Sequence, residues 1–177
     1  MKKSPAQILE IFYPALSYEA NTQADSSTFP PTMAVTISAG VAYCSDDEHM
    51  VKLTLRQDSV AENIPYTVSL EAYAVFTFDK EYAREFYGSN VVPSLSLNVA
   101  SIVLSSVREM LANATSRGPY GSAFIEGVVL DLENVEITFE EDLNEMIPRI
   151  FGLMTPQKKV TKSSSGSGKG KRKKANS

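Results

Sequence analysis

Between Met33 and Phe78 the chain alternates apolar and polar residues in three separate runs, and a chain patterned in this way has few ways to fold. Met33, Val35, Ile37, Ala39, Val41 and Tyr43 alternate with Ala34, Thr36, Ser38, Gly40, Ala42 and Cys44. Val51, Leu53 and Leu55 then alternate with Lys52, Thr54 and Arg56. Tyr66, Val68, Leu70, Ala72, Ala74, Phe76 and Phe78 form the third run, with Thr67, Ser69 and Glu71 facing the other way. A period of two puts each set on its own face of a strand. The short polar turns at 45–48 and 58–65 predict an antiparallel meander. One face is apolar and the other largely polar, so the sheet calls for a single covering layer of helix. Residues 8–20 add an extended segment with Ile11, Phe12, Leu16 and Tyr18, in which Pro14 marks a kink or an edge position. A polar loop, 21–32, follows it and ends in Phe29-Pro30-Pro31.

The cover is supplied by residues 97–121, LNVASIVLSSVREMLANATSRGPYG. Ala100, Val103, Leu104, Val107, Met110, Leu111 and Ala114 recur at the three- and four-residue spacings of one helical face. Arg108 and Glu109 fall opposite, and Arg117 sits in the last turn, where a cation suits the helix dipole. Gly118 is expected to be a left-handed cap, and Pro119 ends the helix. The connection at 79–93 is rich in aromatics, with Tyr82, Phe86 and Tyr87 before Val91 and Val92. After Gly121 come Phe124, Val128, Val129 and Leu130. Residues 140–147 read as a short helix stopped near Pro148, although Val135, Ile137 and Phe139 alternate as a strand would. The order is strands first and helices later, an α+β arrangement.

Val107-Arg108-Glu109, an apolar turn, and then Ser116-Arg117-Gly118-Pro119-Tyr120 resemble the long helix and following loop of the SecB chaperone family. The layout of residues 7–147 is similar to that family as well. The resemblance implies a four-stranded antiparallel sheet with a long helix and a weaker second helix on one side. It divides the chain into a SecB-like domain, 1–154, and a basic tail, 155–177, which composition marks as disordered. It further implies a homo-oligomer, a tetramer built as a dimer of dimers, that works as an ATP-independent holdase. Its client would be a preprotein, or the antitoxin of a toxin–antitoxin–chaperone module. The family's proline-valine-asparagine-phenylalanine segment is replaced here by Gly127-Val128-Val129-Leu130. The tail also differs from the family tail that docks the SecA motor, so engagement of such a motor is not expected.

A holdase needs apolar surface rimmed with charge. The candidate client-binding residues are Tyr13, Leu16, Tyr18 and Phe29 near the first strand, and Phe86, Tyr87, Val91 and Val92 in the crossover. Tyrosine suits the task, because its ring can face both water and client. Val103, Val107, Met110, Leu111 and Ala114 are expected to serve core and oligomer interface together. Arg117, Gly118, Pro119 and Tyr120 are expected to set the helix end.

Charge is divided along the chain. Eight of its 17 Lys and Arg stand between Lys158 and Lys174, whereas all 21 Asp and Glu lie before residue 146. The first 157 residues therefore carry nine cations against 21 acids, a net charge of −12. An acidic body repels nucleic acid and steers cationic partners. The tail's Lys169-Gly170-Lys171-Arg172-Lys173-Lys174 offers an alternative function, an adaptor that binds nucleic acid or ribosome by charge, though no aromatic is interleaved for base stacking. A dedicated partner-binding domain is a third possibility.

Catalysis finds little support. His49 and Cys44 are each the only residue of their type and flank one turn, where a Cys–His pair is conceivable. A buried structural thiol near a surface histidine is the plainer expectation. Zinc needs more ligands than these two, Asp46-Asp47-Glu48 lacks the spacing of a calcium loop, and Gly166, Gly168 and Gly170 form no phosphate-cradling motif. No enzyme, cofactor or metal is expected. No apolar run approaches the length needed to span a bilayer. With no signal peptide at the start and no disulfide pair, a cytoplasmic location is expected.

Overall fold

The computed structural model describes residues 4–23, 25–29, 32–44, 47–57 and 63–153. The basic tail and Asp46 lie outside the described residues. Five strands form one mixed sheet: β1 Ala6–Ala20, β2 Thr36–Tyr43, β3 His49–Arg56, β4 Tyr66–Phe78 and β5 Val135–Phe139. Their spatial order is β1-β4-β3-β2-β5. The alternating runs become β2, β3 and β4 and pair antiparallel as a meander. Met33 precedes β2 and instead bridges to Ile125.

The sheet is five-stranded and mixed, not four-stranded and antiparallel as expected. β1 pairs antiparallel with β4 and forms one edge. The Val135–Phe139 alternation forms a fifth strand, and it runs parallel to β2. Val135 is buried, with Ile137 and Phe139 half-buried beneath the sheet, so the segment closes the other edge with its own apolar side.

Three helices follow: α1 Lys80–Tyr87, α2 Val91–Thr115 and α3 Leu143–Phe151. α2 starts six residues earlier than its periodicity suggested, because Val91 and Leu95 are fully buried and extend the same apolar face. It packs against all five strands, with Val99, Val103, Val107 and Leu111 wholly removed from water. The run Lys80–Thr115 is apolar enough, by length and composition, to cross a bilayer, contrary to the sequence-based expectation. In this structure its apolar face lies on the sheet. α3 is predicted to stop near Pro148 but continues to Phe151. Burial of Ile150 and Phe151 offsets the missing hydrogen bond: the Phe151 ring lies 5.0 Å from Tyr43 and 5.4 Å from Phe78.

The end of α2 is built differently from the glycine cap expected. Gly118 is not left-handed; the positive φ in this loop belongs to Gly121, at 73°. Gly118 is required for space, since a Cβ there would collide with the Tyr66 hydroxyl. That hydroxyl accepts from the Tyr120 N–H at 3.1 Å and donates to the Gly121 carbonyl, also at 3.1 Å. Thr115 Oγ1 accepts from Ala123 N–H at 2.7 Å and donates to the Leu111 carbonyl at 2.9 Å. One tyrosine of β4 thus organises the Ser-Arg-Gly-Pro-Tyr loop from beneath.

Candidate functional site

β1 and α2 lie side by side and run the same way. Ser4 Oγ donates to Asn98 Oδ1 at 2.9 Å, and the Tyr13 and Ser106 hydroxyls are 2.7 Å apart. Farther along, Ala20 pairs with Tyr66, whose hydroxyl lies 3.4 Å from the Thr115 carbonyl. From Asn98 to Thr115 a helix rises about 25 Å, so these contacts mark out a long seam.

β1 keeps an apolar side turned into this seam by means of two irregularities. Register shifts fall between Ile8 and Glu10 and between Phe12 and Ala15. Each inserts an extra residue and resets the alternation, so that Ile8, Ile11, Tyr13 and Leu16 pack against the core, while Tyr18 touches the Tyr66 ring but stays exposed. Pro14 sits in the second shift, where an edge strand tolerates a missing N–H. Among the described residues β1 has a single strand neighbour, β4, so its far side is a sheet edge.

The sequence-derived residues divide into two patches at opposite ends of the seam. At the Ala20 end are Leu16, Tyr18 and Phe29, joined by Tyr120. Phe29 meets the Tyr120 ring edge-on at 5.0 Å, Tyr18 meets Tyr66 at 6.1 Å, and the Tyr120 hydroxyl donates to the Asn21 carbonyl at 2.7 Å. At the other end, where the Asp79 N–H donates to the Pro5 carbonyl, α1 presents Phe86 and Tyr87 with Tyr82 beside them. Tyr18 and Phe86 remain 41% and 42% exposed. Tyr13 lies between the patches.

Other expectations move. Val91 is completely buried against the sheet and Val92 is packed on the core, so Val91 lines no surface in this structure. Val103, Val107 and Leu111 are fully consumed by the core of a single chain. Of the expected interface set, only Met110 and Ala114 are half-buried. Arg117 and Pro119 are exposed at the helix end.

Sequence reasoning missed Phe124 and Val129, which are 58% and 87% exposed. Both stand in the irregular segment after Gly121, pinned to α2 where Arg108 Nη2 donates to the Val128 carbonyl at 2.7 Å. The signal was present in Val128-Val129-Leu130: three successive apolar residues in an irregular segment do not all find room inside, and Leu130 takes the buried place.

The cysteine–histidine expectation is reversed. His49 is buried among Tyr43, Phe76 and Phe78, with Nδ1 accepting the Cys44 N–H at 3.3 Å, whereas Cys44 is partly exposed. Burial pulls the imidazole pKa down to about 4, with Asp47 opposing and Lys80 reinforcing. The unfolded chain then takes up a proton near pH 6.5 while the folded one stays neutral. Stability is expected to fall as pH drops from about 6.5 to 4, by up to about 3 kcal/mol. Urea titrations of the wild type and His49→Gln at neutral and acid pH measure this; parallel pH profiles would refute it.

Among the described residues no group of three or more His, Cys, Asp or Glu is placed to hold a metal ion. The sheet face opposite α2 carries an open depression of about 230 Å³ over Gly40 and Ala42, walled by Tyr73, Met50, Lys52, Glu136 and Thr138.

No family model and no curated protein sequence matches this chain. Among solved structures it is similar to a SecB-like chaperone of Mycobacterium tuberculosis in complex with a ChAD peptide from the HigA1 antitoxin. The identity is 12%, over 70% of this chain and 91% of that one, with a TM-score of 0.44. It is also similar to a protein of unknown function from Streptococcus agalactiae, at 14% identity over 70% and 97% of the two chains, with a TM-score of 0.39.

Proposed function

We propose that this chain is an ATP-independent holdase that binds unfolded or aggregation-prone polypeptide, a preprotein or an antitoxin, along the β1–α2 seam. The observation that carries the reading is the pair of aromatic patches at the two ends of the β1–α2 seam, which runs about 25 Å from Asn98 to Thr115. An extended segment of about eight residues covers that distance at 3.3 Å per residue. Side chains of the client would enter the patches, and its backbone groups would find partners on the open edge of β1. The acidic body keeps such a carrier soluble and favours clients with basic flanks. The resemblance of residues 107–120 to the SecB helix and loop supports the same reading. In a homo-oligomer the contacts on α2 fall to Met110 and Ala114, because their buried neighbours are already spent on the sheet.

The test combines native mass by light scattering with suppression of aggregation of an unfolded reporter protein, without nucleotide. The wild type is expected to be a tetramer and to protect several unrelated reporters. Tyr18→Asp and Phe86→Asp each alter an exposed ring and should leave melting unchanged. Each should raise the concentration needed for protection about tenfold, equivalent to about 1.4 kcal/mol of binding. A monomer that ignores every reporter, or variants that protect as well as the wild type, would remove the proposal.

A further inference from the structure

We infer that the outward face of α1 is a docking surface for the chain's own basic tail, Lys158–Lys174. The occupant follows from where the described chain ends. α3 finishes at Phe151, and Gly152, at φ 61°, directs the chain beside α1. There the Arg84 guanidinium of α1 donates to the Gly152 carbonyl at 3.0 Å and lies so close that a Cβ on Gly152 would press against it. The tail is thus released at a fixed point on the flank of α1.

Five residues stand between Gly152 and Lys158, a reach of about 20 Å over six extended steps. α1, with eight residues, is about 12 Å long. The first tail cations can therefore reach any point on this helix. Tethering at such range corresponds to an effective concentration on the order of millimolar, so weak contacts suffice to hold the tail.

The chemistry of the face suits lysine. Glu81 and Glu85 lie one turn apart, and Tyr82 and Phe86, equally spaced, stand next to them with rings 5.9 Å apart. Carboxylates beside aromatic faces attract an ammonium group both by charge and by the ring quadrupole. The nearby cations are already engaged: Lys80 pairs with Asp47 at 3.2 Å, Arg149 with Glu141 at 3.0 Å, and Arg84 holds Gly152. The eight tail cations are the largest concentration of positive charge in the chain.

The docking itself is tested without any client, in the full-length chain. A spin label is placed on Ser167→Cys in a Cys44→Ser background, and loss of amide NMR signal maps what the tail approaches. Signals of Tyr82, Glu85 and Phe86 are expected to weaken severalfold at about 0.05 M salt and to recover at about 0.5 M, where screening is strong. Glu81→Lys with Glu85→Lys, both at exposed positions, should abolish the weakening. So should replacing the eight tail cations by glutamine, a change that leaves 4–153 untouched. Weakening confined to another surface, absent altogether, or indifferent to salt and to these substitutions would overturn the inference. A tail on α1 in a protein that ignores unfolded chains would defeat only the holdase proposal. A tail elsewhere in a protein that protects them would defeat only this one.

Discussion

Val107→Asp is expected to destabilise the fold severely, whereas Met110→Asp, three residues along the same helix, is expected to leave it standing. Val107 is completely removed from water in the middle of α2, against the sheet. A carboxylate there is desolvated with no basic partner, a loss of about 4 kcal/mol or more. Domains of this size are stable by roughly 5–15 kcal/mol, so a loss of that size or more removes from about a quarter of the margin to most of it. Met110 is only half-buried and can turn a carboxylate toward water, at a cost of about 1 kcal/mol. If α2 also contributes an oligomer contact, Met110→Asp should lower the native mass while circular dichroism and melting change little. Val107→Ala serves as a control that deletes volume without adding charge, costing about 2 kcal/mol. Thermal melts with light scattering decide the matter. A Val107→Asp chain that melts like the wild type would mean that α2 presents a different face to the sheet.

Gly118→Ala is expected to destabilise by about 2–3 kcal/mol, through a tyrosine 52 positions earlier in the sequence rather than through its own backbone angle. The added methyl would meet the Tyr66 hydroxyl and lie 3.1 Å from the Thr115 carbonyl. Tyr66 must then retreat, giving up its bonds to Tyr120 and Gly121, each worth about 1 kcal/mol, with overpacking added. Tyr66→Phe removes the same bonds without adding volume and should cost about 1–2 kcal/mol. In the double variant the hydroxyl that would clash is gone, so the combined loss should fall short of the sum by about 1 kcal/mol. Strict additivity in denaturant titrations would show that the two residues do not share this space. Gly121→Ala is a contrasting control: there the φ of 73° is the obstacle, and no atom of the described residues lies within 4 Å of the missing Cβ.

These two cases mark where reading by sequence succeeds and fails. The helix around Val107 was legible because each apolar residue reports its own local periodicity, and three consecutive turns agree. The role of Gly118 was not. A glycine before a proline at a helix end suggests a left-handed cap, and nothing local says that a tyrosine hydroxyl from β4 fills the space above it. His49 went astray for a related reason. Its neighbours in sequence are acidic and polar, but Phe76 and Phe78 arrive from β4 and Phe139 and Phe151 surround the adjoining Tyr43. The candidate surface was half legible. Tyr18, Phe29 and Phe86 were recognisable as aromatics in irregular or edge segments, whereas Val91 looked equally accessible and is buried.

By itself, the sequence determined the elements and their apolar faces: three alternating runs, an amphipathic helix long enough to cover them, and an acidic body followed by a basic tail. Periodicity and charge are properties of neighbouring residues, and neighbours are what a sequence displays. Only the tertiary structure decided the order of the strands, the parallel fifth strand, and the seam that leaves aromatic patches exposed at both ends of β1. Those outcomes depend on which apolar faces meet across long stretches of chain. Burial is settled by that competition, where Phe151 displaces water from Tyr43 and Tyr18 is left without a cover.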